Sequence, residues 1–283
     1  MRLPPPVPGD APDSVASDHG VTGGAAALRA RIERWPLDWI IPDWPAPASV
    51  CALVTTRNGG VSTGAYASMN TGSRSEDSAQ AVAHNRGVLR AVAGVAPQWL
   101  SQVHGIAVAN VDAYEGVIEA DAAVATNRGR AAVVRIADCL PVLFCDARGT
   151  HVAAVHAGWR GLCAGVLEAT VAALPVAPGS LLAWLGPAIG PGAFEVGSEV
   201  RDAFVERDVA ASAAFIARPG RSGKWLADLY MLAGQRLRRS GVEAIYGGGL
   251  CTVSDPGRFF SYRRDGATGR MAAMIWLADQ GGP

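Results

Sequence analysis

Between Ala131 and Ala157 the chain runs AAVVRIAD, PVLFCD and HVAAVHA, three apolar stretches of six to eight residues in close succession. They are short and carry several β-branched residues, so each reads as a strand. Arg148 and Gly149 form the turn between the last two, which makes them a hairpin. A hairpin here interrupts strand–helix alternation, and that argues against a regular doubly wound or barrel fold. The expected class is α/β (α+β): a single domain with a mixed, largely antiparallel β-sheet core flanked by helices.

The rest of the chain supports that reading. CALVTT (Cys51 to Thr56) predicts a strand, followed by an Asn58-Gly59-Gly60 turn. Ser78 to Gly94 predicts a helix with a Ser cap and a Gly stop. WLSQVHG and AVANVD predict strands on either side of Gly105. Gly161 to Leu174 reads as one helix, and SLLAWLG as a buried strand ending at Pro187. EVRDAFVER and WLADLYMLAGQRLRRSG predict two more helices. The second sets Leu226, Leu229, Leu232 and Leu237 on one face and closes with basic residues and Gly241. FFSYRR and RMAAMIWLA predict a terminal hairpin turned by Asp265-Gly266 and Gly269, with Arg263 and Arg264 on opposite faces. Residues 1–35 read as a proline-rich, disordered tail in which Ala25 to Trp35 forms a short helix that docks or frays. Residues 36–283 read as one catalytic domain.

Composition excludes several function classes. Lys plus Arg is 25 and Asp plus Glu is 25, so no net charge draws the chain to nucleic acid or an anionic membrane. No apolar run approaches the roughly 20 residues needed to span a bilayer. The first residues lack a secretory apolar segment. Five cysteines, an odd number, are scattered along the chain and suggest reduced thiols in a cytoplasm. No P-loop, no GxGxxG after a strand and no GxSxG elbow is present.

Chemistry concentrates at three strand ends. His104 precedes Gly105, Cys139 follows AAVVRIAD, and His156 precedes Ala157-Gly158. Imidazole and thiolate are ligands that Zn2+ accepts readily, and Cu2+ is the alternative. Three protein ligands leave a fourth position open, the catalytic pattern. The competing reading is a buried, inert cysteine and two singly bonded histidines. Asp138, beside Cys139, is a candidate base or acceptor behind a ligand. Arg160 lies near the start of a helix, where a cation opposes the macrodipole unless an anion is shared there. Its alternative is stacking on Trp159. Arg57 and Asn70 near the first turn, Cys251 after a glycine run, and Arg263 near the C-terminus are weaker substrate-binding candidates.

SQVHG, EADAAVAT, RIADCLPVLF, VAAVHAGWRG, LGPAIG with FEVG, CT, and FFSYRRDGATGRMAAMI occur in this order. Together they resemble the YfiH family, also described as peptidoglycan-editing factors and once as polyphenol-oxidase laccases. The resemblance spans about Thr55 to Leu277. It implies a metal on the His of QVH, the Cys of ADC and the His of HAGW, which are His104, Cys139 and His156. Gln102 of the same QVH motif joins the substrate-binding candidates. The resemblance further implies a purine nucleoside phosphorylase. Such an enzyme takes adenosine, inosine, guanosine or methylthioadenosine with phosphate, and adenosine deamination is a possible second activity.

Other readings stay open from sequence. They are an amidase that edits a peptidoglycan precursor, a cysteine hydrolase using Cys139 and His156, a copper-dependent phenol oxidase, and a non-enzymatic zinc scaffold with Cys251 as fourth ligand. The oligomeric state is not legible.

Overall fold

The structure is a computed structural model that describes residues 24–35, 37–73 and 76–278. Two large sheets lie face to face, with helices outside each. The six-stranded sheet has the order Ala244–Gly247, Leu181–Leu185, Leu140–Asp146, Val152–Ala157, Ala122–Ala125 and Val108–Asn110. Its four central strands are antiparallel and its outermost pairs are parallel. The four-stranded sheet has the order Val50–Val54, Met271–Leu277, Arg130–Ile136 and Ala96–Gln98. A three-stranded and a two-stranded sheet complete the fold.

This layering explains the continuous apolar runs. Alternate residues of a strand face opposite ways. Ala153 and Val155 pack beneath helices with Leu162, Leu167 and Leu237, while Val152 and Ala154 face the other sheet with Val134 and Ile275. The outer face of the four-stranded sheet, through Leu53, Val133 and Met274, meets Leu28, Ile32 and Leu89. Strands covered on both faces have no solvent side that would demand polar residues. The helix Ala79–Ala93 begins at the Ser78 hydroxyl and ends on Gly94 at φ 70°.

Three expectations are corrected. The segment after Trp159 is not one helix. Gly165, at φ 112°, divides it into Trp159–Ala164 and Val166–Ala173. The helix expected from Trp225 does not start there. Lys224–Ala227 is a strand between Glu195–Gly197 and Phe215–Ala217, and only Leu229–Arg239 is helical, capped by Asp228. Leu226 is therefore on a strand, apart from the leucine face. The terminal hairpin does not form. Tyr262–Asp265 is a helical turn, and Met271–Leu277 inserts between Val50–Val54 and Arg130–Ile136. Arg263 and Arg264 thus share a turn rather than opposite faces of a strand. The helix Gly24–Arg34 is docked, with Leu28 and Ile32 buried. The proline-rich segment before it lies outside the described residues. No helix among the described residues is long and apolar enough to cross a membrane.

Candidate metal centre

Three different connections deliver the three ligand candidates. The antiparallel pair Leu140–Asp146 and Val152–Ala157 sets His156 opposite Pro141. Cys139 sits just before that pair, where the chain crosses from the four-stranded to the six-stranded sheet. The crossing turns on Asp138, whose φ of 88° is a backbone state that aspartate tolerates better than most residues. His104 follows the short strand Leu100–Ser101 and has φ 64°.

The ligand atoms of His104, Cys139 and His156 all lie within 4.8 Å of one another. Cys139 Sγ is 3.7 Å from His104 Nε2, and the two imidazole rings meet edge-on with centroids 4.8 Å apart. A tetrahedral zinc, with bonds of about 2.3 Å to sulfur and about 2.05 Å to nitrogen, would set those atoms roughly 3.6 Å apart. The donor set therefore fits such an ion. Two glycines make the approach possible. A Cβ on Gly158 would stand 2.8 Å from His104 Cδ2 and 3.0 Å from Cys139 Sγ. A Cβ on Gly161 would stand 2.8 Å from the Gly105 carbonyl oxygen.

Asp121, in EADAAVAT, organises the cluster, and sequence reasoning gave it no role. Its carboxylate is fully buried. Oδ1 accepts from the His104 N–H at 2.9 Å, and Oδ2 accepts from Val103 at 3.1 Å and Gly105 at 2.7 Å. Oδ1 also takes the Nδ1 proton of His156 at 2.8 Å. Successive N–H groups folded around an anion form a nest, and here the anion belongs to the protein. The bond to Nδ1 leaves Nε2 of His156 as the free ring nitrogen. Burial alone would push the Asp121 carboxyl up, yet the His156 bond and the backbone donors hold it below its ordinary value. The signal was available: an aspartate inside an apolar run needs partners.

Burial is the largest single influence on each and disfavours both the thiolate and the imidazolium, but their mutual attraction together with the bonds from His104 and Asp121 outweighs it. Cys139 is pushed down, by the charge of His156 and the bond from His104. His156 is pushed up, by Cys139 and Asp121. By contrast, burial raises Cys51, Cys145 and Cys163. Cys139 is the thiol in this group suited to metal ligation.

The other candidates are placed less uniformly. The Asp138 carboxylate accepts from the Thr252 hydroxyl at 2.5 Å and the Arg263 N–H at 2.6 Å, so it ties two loops to the Cys139 turn. Gln102 brackets the peptide of Arg135, donating to its carbonyl at 2.8 Å and accepting from its N–H at 2.9 Å. Asn70 is buried. It donates to Asp77 and accepts from the N–H groups of Gly72 and Arg270. Arg57 donates to the carbonyls of Ala67 and Pro256. Arg160 is exposed and lies over Trp159 at 4.5 Å, the stacking alternative, on a helix of only 6 residues. Cys251 is outside the cluster, with Gly190 N–H and the Ser254 hydroxyl on its sulfur. Arg263 is exposed and reaches the Glu195 carbonyl. All five cysteines are unpaired.

An α/β protein of two large facing sheets, with His104, Cys139 and His156 gathered beside a buried carboxylate so that they could hold a metal ion, is the class that fold and site define. The family model described as multi-copper polyphenol oxidoreductase laccase matches residues 51–278, and the chain belongs to that family. It is 54% identical over 243 residues to a protein of Pseudomonas aeruginosa called purine nucleoside phosphorylase PA4543, covering 85% of this chain and 99% of that one. It is 52% identical to purine nucleoside phosphorylase YfiH of Escherichia coli K12, covering 84% and 98%. The crystal structure of Neisseria meningitidis protein NMB0706 superimposes with a TM-score of 0.83 at 52% identity, covering 86% of this chain and all of that one. The YfiH resemblance read from the motifs is thus borne out.

Proposed function

We infer that this chain is a purine nucleoside phosphorylase whose reaction takes place at the His104–Cys139–His156 centre. Nucleoside and phosphate would give free base and sugar 1-phosphate. The observation that carries the reading is the convergence of three ligand atoms within 4.8 Å, in a chain 52–54% identical to proteins of that name. In this reaction the bond from sugar carbon to base nitrogen breaks, and a phosphate oxygen takes its place. The barrier falls mainly by positioning and by stabilising charge on an oxocarbenium-like sugar.

The chain's residues divide that work. His104 Nε2, Cys139 Sγ and His156 Nε2 would hold the metal, for which zinc is the proposed ion. Such an ion supplies Lewis acidity towards a substrate oxygen. Asp121 holds His156 in the tautomer that presents Nε2. Asp138 fixes the Cys139 turn through Thr252 and Arg263. Gln102, Asn70 and Arg57 hold neighbouring loops through their hydrogen bonds. Copper fits less well despite the family's description. A multi-copper centre needs many imidazoles, and the described residues hold four histidines, of which His84 and His151 stand outside the cluster. We place the protein in the cytoplasm and take residues 36–283 as one catalytic unit.

The test is release of base from adenosine, inosine, guanosine and methylthioadenosine by the zinc-loaded protein, with and without phosphate. Phosphate-dependent release that Cys139→Ala abolishes is the expected result. Ammonia release from adenosine without phosphate would assign deamination instead. Turnover of no nucleoside would refute the reading and favour the amidase.

One observation favours a second reading. Asp121 orients His156, and His156 stabilises the Cys139 thiolate, the order of orienter, base and nucleophile in a cysteine hydrolase. His104 on the other side of the sulfur argues for a metal ligand. Activity that survives chelation but is lost on thiol alkylation would decide for the hydrolase.

A further inference from the structure

Phosphorolysis requires an anion beside the sugar carbon, and most arginines near the centre are already committed. Arg57 gives its guanidinium to two carbonyls. Arg264 is paired with Asp265 and the carbonyls of Thr252, Val253 and Phe259. Arg263 is bonded to Glu195 O and lies over Phe194.

Arg270 differs. It immediately precedes Met271, which pairs with Ile136. The antiparallel register therefore sets Arg270 across from Ala137, two residues before Cys139. Its backbone N–H donates to the side-chain oxygen Oδ1 of Asn70 at 2.9 Å. Its stem occupies a channel that Gly72 leaves open, since a Cβ there would stand 2.9 Å from Arg270 Cγ. Nη1 donates to the carbonyls of Thr268 and Gly269, which aims the fork. Nε and Nη2 have no hydrogen-bond partner, and no carboxylate pairs with the guanidinium, among the described residues. Burial pushes the guanidinium below the ordinary arginine value. The charges of Cys139 and Asp138, followed by Tyr262 and Tyr66, pull the other way, so it feels the centre. Arginine nonetheless stays cationic. A half-buried guanidinium with no carboxylate paired to it among the described residues, and with Nε and Nη2 on one edge of the fork, has the geometry that binds an oxyanion through two parallel hydrogen bonds.

We propose that Arg270 holds the phosphate for the reaction at the His104–Cys139–His156 centre, through Nε and Nη2 on two phosphate oxygens. The proposal rests on the phosphorylase reading. It adds a residue that the motif reading passed over, and it assigns Asn70 and Gly72 the role of seating that residue. Asn70, expected at the substrate, acts one residue removed from it.

Two measurements test it. The first is KM for phosphate at saturating nucleoside, and KM for nucleoside at saturating phosphate, in wild type, Arg270→Gln and Arg270→Lys. Expected is a rise in phosphate KM of at least tenfold for Arg270→Gln. Arg270→Lys should show a smaller rise, because it keeps charge without the fork, and nucleoside KM should stay within about threefold. A phosphate KM within twofold of wild type in folded Arg270→Gln overturns the proposal. The second uses wild type alone, covering unfolded variants and a wild type without phosphorolysis. Phenylglyoxal labelling is mapped by mass spectrometry with and without inorganic phosphate, with exposed Arg148 as control. Selective protection of Arg270 supports the subsite, and equal labelling overturns it. Absent phosphate-dependent base release in wild type would count against the phosphorylase reading, while the labelling still decides the anion site.

Discussion

Replacing Asp121 by Asn keeps the shape of the side chain and removes half of its acceptors. The carboxylate takes four donors, two on each oxygen. An asparagine whose oxygen serves His104 and His156 presents an NH2 to the N–H groups of Val103 and Gly105. Two charge-assisted bonds, each about 1.5–3 kcal/mol, are lost, and two buried donors face another donor. The expected destabilisation is about 3–6 kcal/mol. With an unfolding entropy of roughly 0.6 kcal/mol/K for a chain this long, that is a fall of about 5–10 °C in Tm. Loss of the oriented carboxylate behind His156 should also weaken metal binding about 10–100-fold. Thermal melting of the metal-free protein and zinc titration against a chromophoric chelator read the two effects separately. A Tm within 1–2 °C of wild type, with zinc affinity within about twofold, would refute the view that Asp121 builds the centre.

Three further outcomes follow from the same geometry. Gly158→Ala introduces no backbone strain, since Gly158 has φ −61°, but its Cβ meets His104 Cδ2 and Cys139 Sγ. Zinc affinity should fall at least about tenfold while Tm changes by only a few degrees; unchanged affinity would mean that His104 gives way freely. Asp138→Asn faces the Thr252 hydroxyl and the Arg263 N–H with one fewer acceptor, so urea unfolding should show a loss of about 1–3 kcal/mol. A loss below about 0.5 kcal/mol would show that neither bond matters. The Asp121 carboxyl is depressed in the folded state, so its contribution is complete above its unfolded value of about 3.9 and disappears as pH falls through the folded value. Asp121→Asn should therefore flatten part of the stability loss below about pH 4. An unaltered acid limb would assign that loss to other carboxylates, such as Asp146 and Asp265, which are depressed too.

What sequence could determine was local. Apolar runs, Gly–Asn turns and a Ser-to-Gly helix are each set by neighbours along the chain, and those elements formed where expected. The cluster of three candidate ligands was legible because histidine and cysteine are few, and each stood at the end of an apolar run. The break at Gly165 was hidden, because a glycine inside a helical pattern costs only about 1 kcal/mol and does not announce a break. Trp225, Leu226 and Ala227 read as helix by periodicity, and only the two neighbouring strands make Lys224–Ala227 a strand.

Tertiary structure alone decided the partnerships. Asp121 serves His156 because the register of two strands, 35 residues apart in sequence, sets them opposite each other. Arg270 comes to lie across from Ala137, two residues before Cys139, because the last strand inserts between two much earlier ones instead of folding back as a hairpin. Identity, spacing and periodicity say which side chains are able to bind a metal or an anion. Which of them meet, and which are left without a partner, depends on contacts between distant segments that no local pattern encodes.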